Sequence, residues 1–120
     1  ALARYNPNGT LDPTFSSDGI QDTSFGGFVA MGAALQPDGR IVVVGRAQAG
    51  GNYDFGLARY NPNGTLDPTF SGDGKQTTDF GPFGFAAAVA IQADGKIVVA
   101  GEGLGADGTE DFAVARYLGG

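Results

Sequence analysis

Leu35-Gln36-Pro37-Asp38-Gly39-Arg40-Ile41-Val42-Val43-Val44-Gly45 is the stretch whose reading decides the fold. Its last half places apolar side chains on both faces of a strand, with Ile41 and Val43 on one side and Val42 and Val44 on the other. A strand of that kind is buried on both sides, unlike the half-solvated strand of a sandwich, which alternates. The tripeptide before it specifies a reversal. Pro37 sets φ near about −65° and Gly39 accepts a left-handed conformation, which suits a type I turn with a glycine bulge.

Working outward, the same string returns as Ile91-Gln92-Ala93-Asp94-Gly95-Lys96-Ile97-Val98-Val99-Ala100-Gly101, 56 residues on. Leu2-Ala3-Arg4-Tyr5-Asn6-Pro7-Asn8-Gly9-Thr10-Leu11-Asp12-Pro13-Thr14-Phe15-Ser16 returns letter for letter at residues 57–71, 55 residues on. Asp54-Phe55-Gly56-Leu57-Ala58-Arg59-Tyr60 returns as Asp111-Phe112-Ala113-Val114-Ala115-Arg116-Tyr117, 57 residues on. The chain is therefore two tandem copies of one unit, cut out of register.

Each period holds four strand candidates. The inner strand, rich in Ala, covers residues 32–36 and 87–92; the second, built on Ile-Val-Val, covers 40–46 and 96–102. The third covers 55–60 and 112–117, with residues 1–5 as a further copy; the outer and more polar strand covers 20–25 and 75–80. Gly or Pro interrupts nearly every stretch of ten, so helix has no place. The expected fold is all-β.

A four-stranded antiparallel sheet, buried on both faces and repeated in tandem, describes a β-propeller blade between neighbours. The Ala-rich strand suits the crowded centre and the polar strand the rim. On this reading residues 1–120 form one propeller segment. Residues 1–27 hold the third and outer strands of a partial blade, 28–81 a complete blade, and 82–120 the first three strands of another. These residues also resemble the bacterial delta-60 repeat proteins, over nearly the whole chain. The resemblance implies a propeller-like fold, a home in long exported or surface-associated bacterial proteins, and no catalytic residues; such proteins usually hold many repeats. Two blades cannot close a ring, because propellers need about four to eight. The expected partners are further blades of a longer chain or other copies of this one, joined head to tail as a six- or eight-bladed ring. Such a ring leaves one third-type strand in excess at each junction.

Composition removes much chemistry. Cys, His and Trp are absent, which excludes disulfides, Cys/His zinc sites, Cys nucleophiles and His-based triads. The net charge is −6 with only seven basic residues, so nucleic acid is not an expected partner. The longest apolar segments, at 85–91 and 97–100, fall far short of the roughly 20 residues of a membrane span. No cofactor is expected.

Function is placed on the loops that differ between copies, since variable loops on a rigid scaffold are where binding resides. The candidate ligand residues are Arg46, Asn52, Tyr53, Glu102, Asp107 and Glu110, with Phe28, Phe83 and Phe85 as rings able to stack sugars. Asp18, Asp73 and Asp107 precede glycines in oxygen-bearing turns, but no Asp-x-Asp-x-Asp-Gly calcium spacing is present. Asp12, Asp38, Asp67 and Asp94 are read as caps of their own turns, and no metal site is expected. Arg4, Arg59 and Arg116 are expected to pair with carboxylates such as Asp54 and Asp111, and Phe15 and Phe70 to fill the core between blades. The carboxylates Glu102, Asp107 and Glu110 occur in one copy only, which argues against glycoside hydrolysis. The expected function is a non-catalytic structural or adhesive module of an exported bacterial protein, with a glycan-binding propeller as the alternative and an enzyme third.

Overall fold

In the computed structural model, which describes residues 2–21, 29–49, 52–78, 84–104 and 110–118, the Ile-Val-Val segments are the middles of two sheets. The strands run β1 (Leu2–Ala3), β2 (Ile20–Gln21), β3 (Val29–Leu35), β4 (Ile41–Ala49), β5 (Asn52–Tyr60), β6 (Lys75–Thr78), β7 (Gly84–Ile91), β8 (Ile97–Leu104) and β9 (Glu110–Tyr117). They form a two-stranded first sheet β1-β2, a four-stranded central sheet β3-β4-β5-β6 and a third sheet β7-β8-β9. Every pairing is antiparallel and between sequence neighbours. Among the described residues there is no helix.

The turns form as their residues dictate. Gly39 N–H donates to Gln36 O at 3.0 Å, Gln36 N–H donates to Arg40 O at 2.8 Å, and Gly39 sits at φ +90°. The same closure recurs at Gly95 with Gln92, at Gly9 with Asn6 and at Gly64 with Asn61. Glycine supplies the left-handed conformation in all four.

Strand alternation then sorts the central sheet into two cores. Val42, Val44, Phe55 and Leu57 point to one side and pack with Phe70, Ala86, Ile97, Val99 and Ala113, which ties the central sheet to the third. Ile41, Val43, Ala58 and Tyr60 point to the other side and pack with Phe15, Leu2 and Leu66, which ties it to the first. The two-sided burial expected of the valine run is what the molecule has. Stacked sheets stretch it to 49 × 31 × 28 Å.

The inner strands of the central and third sheets meet closely. A Cβ on Gly32 of β3 would stand 3.3 Å from Ala87 O of β7. Each inner strand also begins about three residues earlier than its composition suggests and carries a bulge, at Ala30/Gly32 and at Ala86/Ala88. The bulges press a carbonyl onto the second strand: a Cβ on Gly45 would lie 1.8 Å from Val29 O, and one on Gly101 1.9 Å from Phe85 O. Only glycine fits at either place.

The repeat exposes what each sheet lacks. Phe55 and Leu57 are fully buried, whereas their counterparts Phe112 and Val114 are 79% and 54% exposed. Leu35 is 70% exposed, while its counterpart Ile91 packs against the central core. Identical positions differ because one has a neighbouring sheet and the other has none among the described residues.

Candidate functional site

The most organised polar chemistry lies at the junctions between sheets and is built from the exact repeat. After β5 the chain reverses through residues 61–64, bridges Tyr60 to Leu66, and brings Asp67 N–H back to Arg59 O at 2.9 Å. Asp67 is thereby delivered beside Arg59, eight residues earlier. Its Oδ2 accepts from Arg59 Nε at 2.9 Å and stands 2.8 Å from Arg40 Nε in an ion pair without hydrogen-bond geometry, while its Oδ1 accepts from Thr69 N–H at 3.0 Å and Thr69 Oγ1 at 2.6 Å. Burial opposes the charged carboxylate of Asp67, but the Thr69 hydrogen bonds and the two guanidinium groups hold its pKa below the usual range. The Arg59 guanidinium also lies 4.8 Å over the Phe70 ring.

The first sheet repeats this arrangement. Arg4 Nε meets Asp12 Oδ2 at 3.0 Å, Thr14 N–H donates to Asp12 Oδ1 at 3.0 Å, and Arg4 lies 4.6 Å over Phe15. The carboxylate partners of Arg4 and Arg59 are thus Asp12 and Asp67, not residues such as Asp54. Asp54 and Arg59 are five apart on one strand, and an odd separation puts them on opposite faces. Phe15 and Phe70 are buried between sheets as expected. Four further aspartates cap turns: Asp38 accepts from Arg40 N–H, Asp94 from Lys96 N–H, Asp18 from Ile20 N–H and Asp73 from Lys75 N–H.

Between the first and central sheets the turn at 61–64 is seated in a polar cradle. Arg4 Nη1 donates to Pro62 O at 2.7 Å and Ser16 N–H donates to Asn63 O at 2.6 Å. A Cβ on Gly64 would meet Ser16 N at 2.8 Å and Phe15 Cδ1 at 3.2 Å. Between the central and third sheets the corresponding residues line an open cleft of about 430 Å³, with Arg59, Phe70, Ser71 and Gln76 on one side and Arg116 and Tyr117 on the other. Tyr117 hydrogen-bonds Thr78 across this junction, and burial raises its phenol pKa. Leu118 stands where Asn61 stands at the first junction, 79% exposed.

The residues proposed from loop variability fall elsewhere. Ala49 pairs with Asn52 and Leu104 with Glu110, so Arg46, Asn52, Tyr53, Glu102 and Glu110 belong to long hairpin strands and not to loops. The second strands run on because ladder hydrogen bonds continue to the hairpin ends. The structure brings Arg46 and Tyr53 together, with the guanidinium 4.6 Å over the ring. Glu102 is exposed on β8 opposite half-buried Phe85, and a Cβ on Gly84 would lie 3.6 Å from Tyr53 O, so these strand ends are neighbours. Asp107, Phe28 and Phe83 lie outside the described residues. Among the described residues no three metal-ligating side chains gather. Loop variation pointed away from the Arg-Asp-Phe junction; its signal was the invariant spacing of those residues within the two copies.

Meandering antiparallel sheets of one repeated sequence, stacked face to face, with an arginine–aspartate–aromatic unit repeated at the first two, define a β-propeller-type repeat protein. A family model described as "Domain of unknown function (DUF5122) beta-propeller" matches residues 1–15, 36–70 and 92–119, and the chain belongs to that family. No curated protein matches the sequence.

Proposed function

We propose that the chain is a non-catalytic structural module of an exported, surface-associated bacterial protein of the delta-60 repeat kind. It acts by stacking its sheets on further copies of the same unit. One observation carries this reading: Phe112 and Val114 are open to solvent at positions where Phe55 and Leu57 are wholly buried by the next sheet. An apolar sheet face of that kind is a docking surface for a homologous sheet.

The test is a fusion in which one more period is appended to the third sheet. Newly buried Phe112 and Val114 contribute about 3 kcal/mol or more, which raises the melting temperature by about 5–10 °C in a chain of that size. An unchanged melting temperature overturns the proposal. Selective retention of the original chain on a glycan array would favour the lectin instead.

A further inference from the structure

We propose that Asn63 is a latent modification site. It is shielded while the first and central sheets are joined, and water converts it to aspartate and isoaspartate once they part. Water is the one co-reactant. The backbone nitrogen of Gly64, its proton taken by solvent hydroxide, attacks Cγ of Asn63; the Cγ–Nδ2 bond breaks and ammonia leaves. Water then opens the resulting succinimide at either carbonyl, and both products carry a new carboxylate.

The sequence leaves few places for this chemistry. The chain has five asparagines, at 6, 8, 52, 61 and 63. Asn6 and Asn61 precede prolines, whose nitrogens have no proton to lose, and Asn52 precedes the bulky Tyr53. Asn8 and Asn63 precede glycine, which puts no Cβ in the way of attack.

Inside, the two turns are alike. Gly64 N–H donates to Asn61 O at 2.9 Å, and Asn63 Oδ1 accepts from Thr65 N–H at 3.1 Å. Gly9 and Asn8 make the same bonds, at the same lengths, with Asn6 and Thr10. Their surroundings in this chain differ. Asn63 O accepts from Ser16 N–H at 2.6 Å, and Pro62 O accepts from Arg4 Nη1 at 2.7 Å. Gly64 is buried, and a Cβ there would stand 2.8 Å from Ser16 N, whereas one on Gly9 would meet nothing within 4 Å.

This seat opposes ring closure directly. The five-membered ring needs Gly64 N eclipsed with Asn63 Cβ, but the second central residue of a type I turn holds ψ near about 0°, far from that. Asn63 O and Gly64 N belong to one rigid peptide plane. Turning Gly64 N toward Cγ therefore swings Asn63 O off Ser16 N–H and drives the plane into packed surroundings. The Asn63 side chain is itself exposed, so solvent reaches it and the junction is what holds the reaction back. Conversion leaves a mark on the joint. Isoaspartate adds a methylene between Cα and the chain carbonyl, so the oxygens gripped by Arg4 and Ser16 lose their matched spacing.

Trypsin places the two sites on separate peptides, 5–40 and 60–75, so mass spectrometry reads both from one sample. The folded chain is held in mildly alkaline buffer beside the free peptide Tyr-Asn-Pro-Asn-Gly-Thr-Leu-Asp-Pro. Two hydrogen bonds across the junction should slow Asn63 about tenfold or more relative to Asn8 and to the peptide. Arg4→Gln withdraws the guanidinium from Pro62 O and should return most of that factor at Asn63, with Asn8 unchanged. Where that variant lacks wild-type circular dichroism, the wild-type chain in urea below its unfolding midpoint takes its place, with the same rise expected. Asn63→Gln, whose longer side chain closes a ring far more slowly, should abolish the mass gain in peptide 60–75. Equal rates at Asn8 and Asn63 in the native chain overturn the shielding. So does an Asn63 rate indifferent to Arg4→Gln, or to urea where that variant misfolds. A mass gain that persists in Asn63→Gln removes Asn63 as the site.

Discussion

Phe55→Ala and Phe112→Ala make the same chemical deletion at the same position of the repeat, and the structure assigns them different costs. Phe55 is fully buried among Val44, Leu57 and the third sheet, whereas Phe112 keeps 79% of its surface in water. A buried phenylalanine removes about 150–250 Å² from solvent, worth about 4–6 kcal/mol at roughly 25 cal/mol per Å². Truncation at such sites costs about 3–5 kcal/mol once the surroundings relax. The fifth of Phe112 that is covered scales to about 1 kcal/mol or less. Urea unfolding followed by circular dichroism reads the difference directly, at a concentration where the chain sediments as a monomer. Phe55→Ala should lower the midpoint strongly at unchanged slope, and Phe112→Ala barely at all. The pair Leu57→Ala and Val114→Ala should repeat the contrast. Equal losses at both positions would refute the reading that no described residue covers the Phe112 face.

Gly45→Ala and Gly101→Ala drive a methyl into a bulge carbonyl less than 2 Å away, and each should cost at least the about 1–3 kcal/mol of core overpacking, read as a lowered melting temperature. Asp67→Asn keeps an acceptor for Thr69 but leaves two guanidinium groups without their buried counter-charge, so a loss of about 3–5 kcal/mol in chemical denaturation is expected. Because Asp67 has its folded pKa below the ordinary 3.8, its contribution is present above about pH 4 and is lost as pH falls through the lower folded value. In that window the wild-type chain should lose more stability on acidification than Asp67→Asn, when the two are followed by denaturant titration at each pH.

Much of the fold was legible because repeat and turn chemistry are written locally. Val42 and Val43 on opposite faces demanded two neighbours, and Pro37-Asp38-Gly39 demanded a reversal. What escaped was set by the chain doubling back. Asp67 meets Arg59 only because the turn at 61–64 and the Tyr60–Leu66 bridge bring the segment home, while strand parity alone would have discounted Asp54. Gly45 reads as a break after a valine run until the bulge in β3 shows which atom stands above it. Arg46 and Tyr53 looked like loop residues because the glycines beyond them advertise a turn, whereas the ladder continues to the hairpin end.

The seating of the turn at 61–64 against Arg4, Phe15 and Ser16 means that both halves of an inter-sheet lock are encoded within a single period. Each unit carries the tongue for its predecessor and the socket for its successor. In-frame gain or loss of a whole period therefore leaves every joint matched. Chains built this way can change length in one genetic step without redesigning an interface.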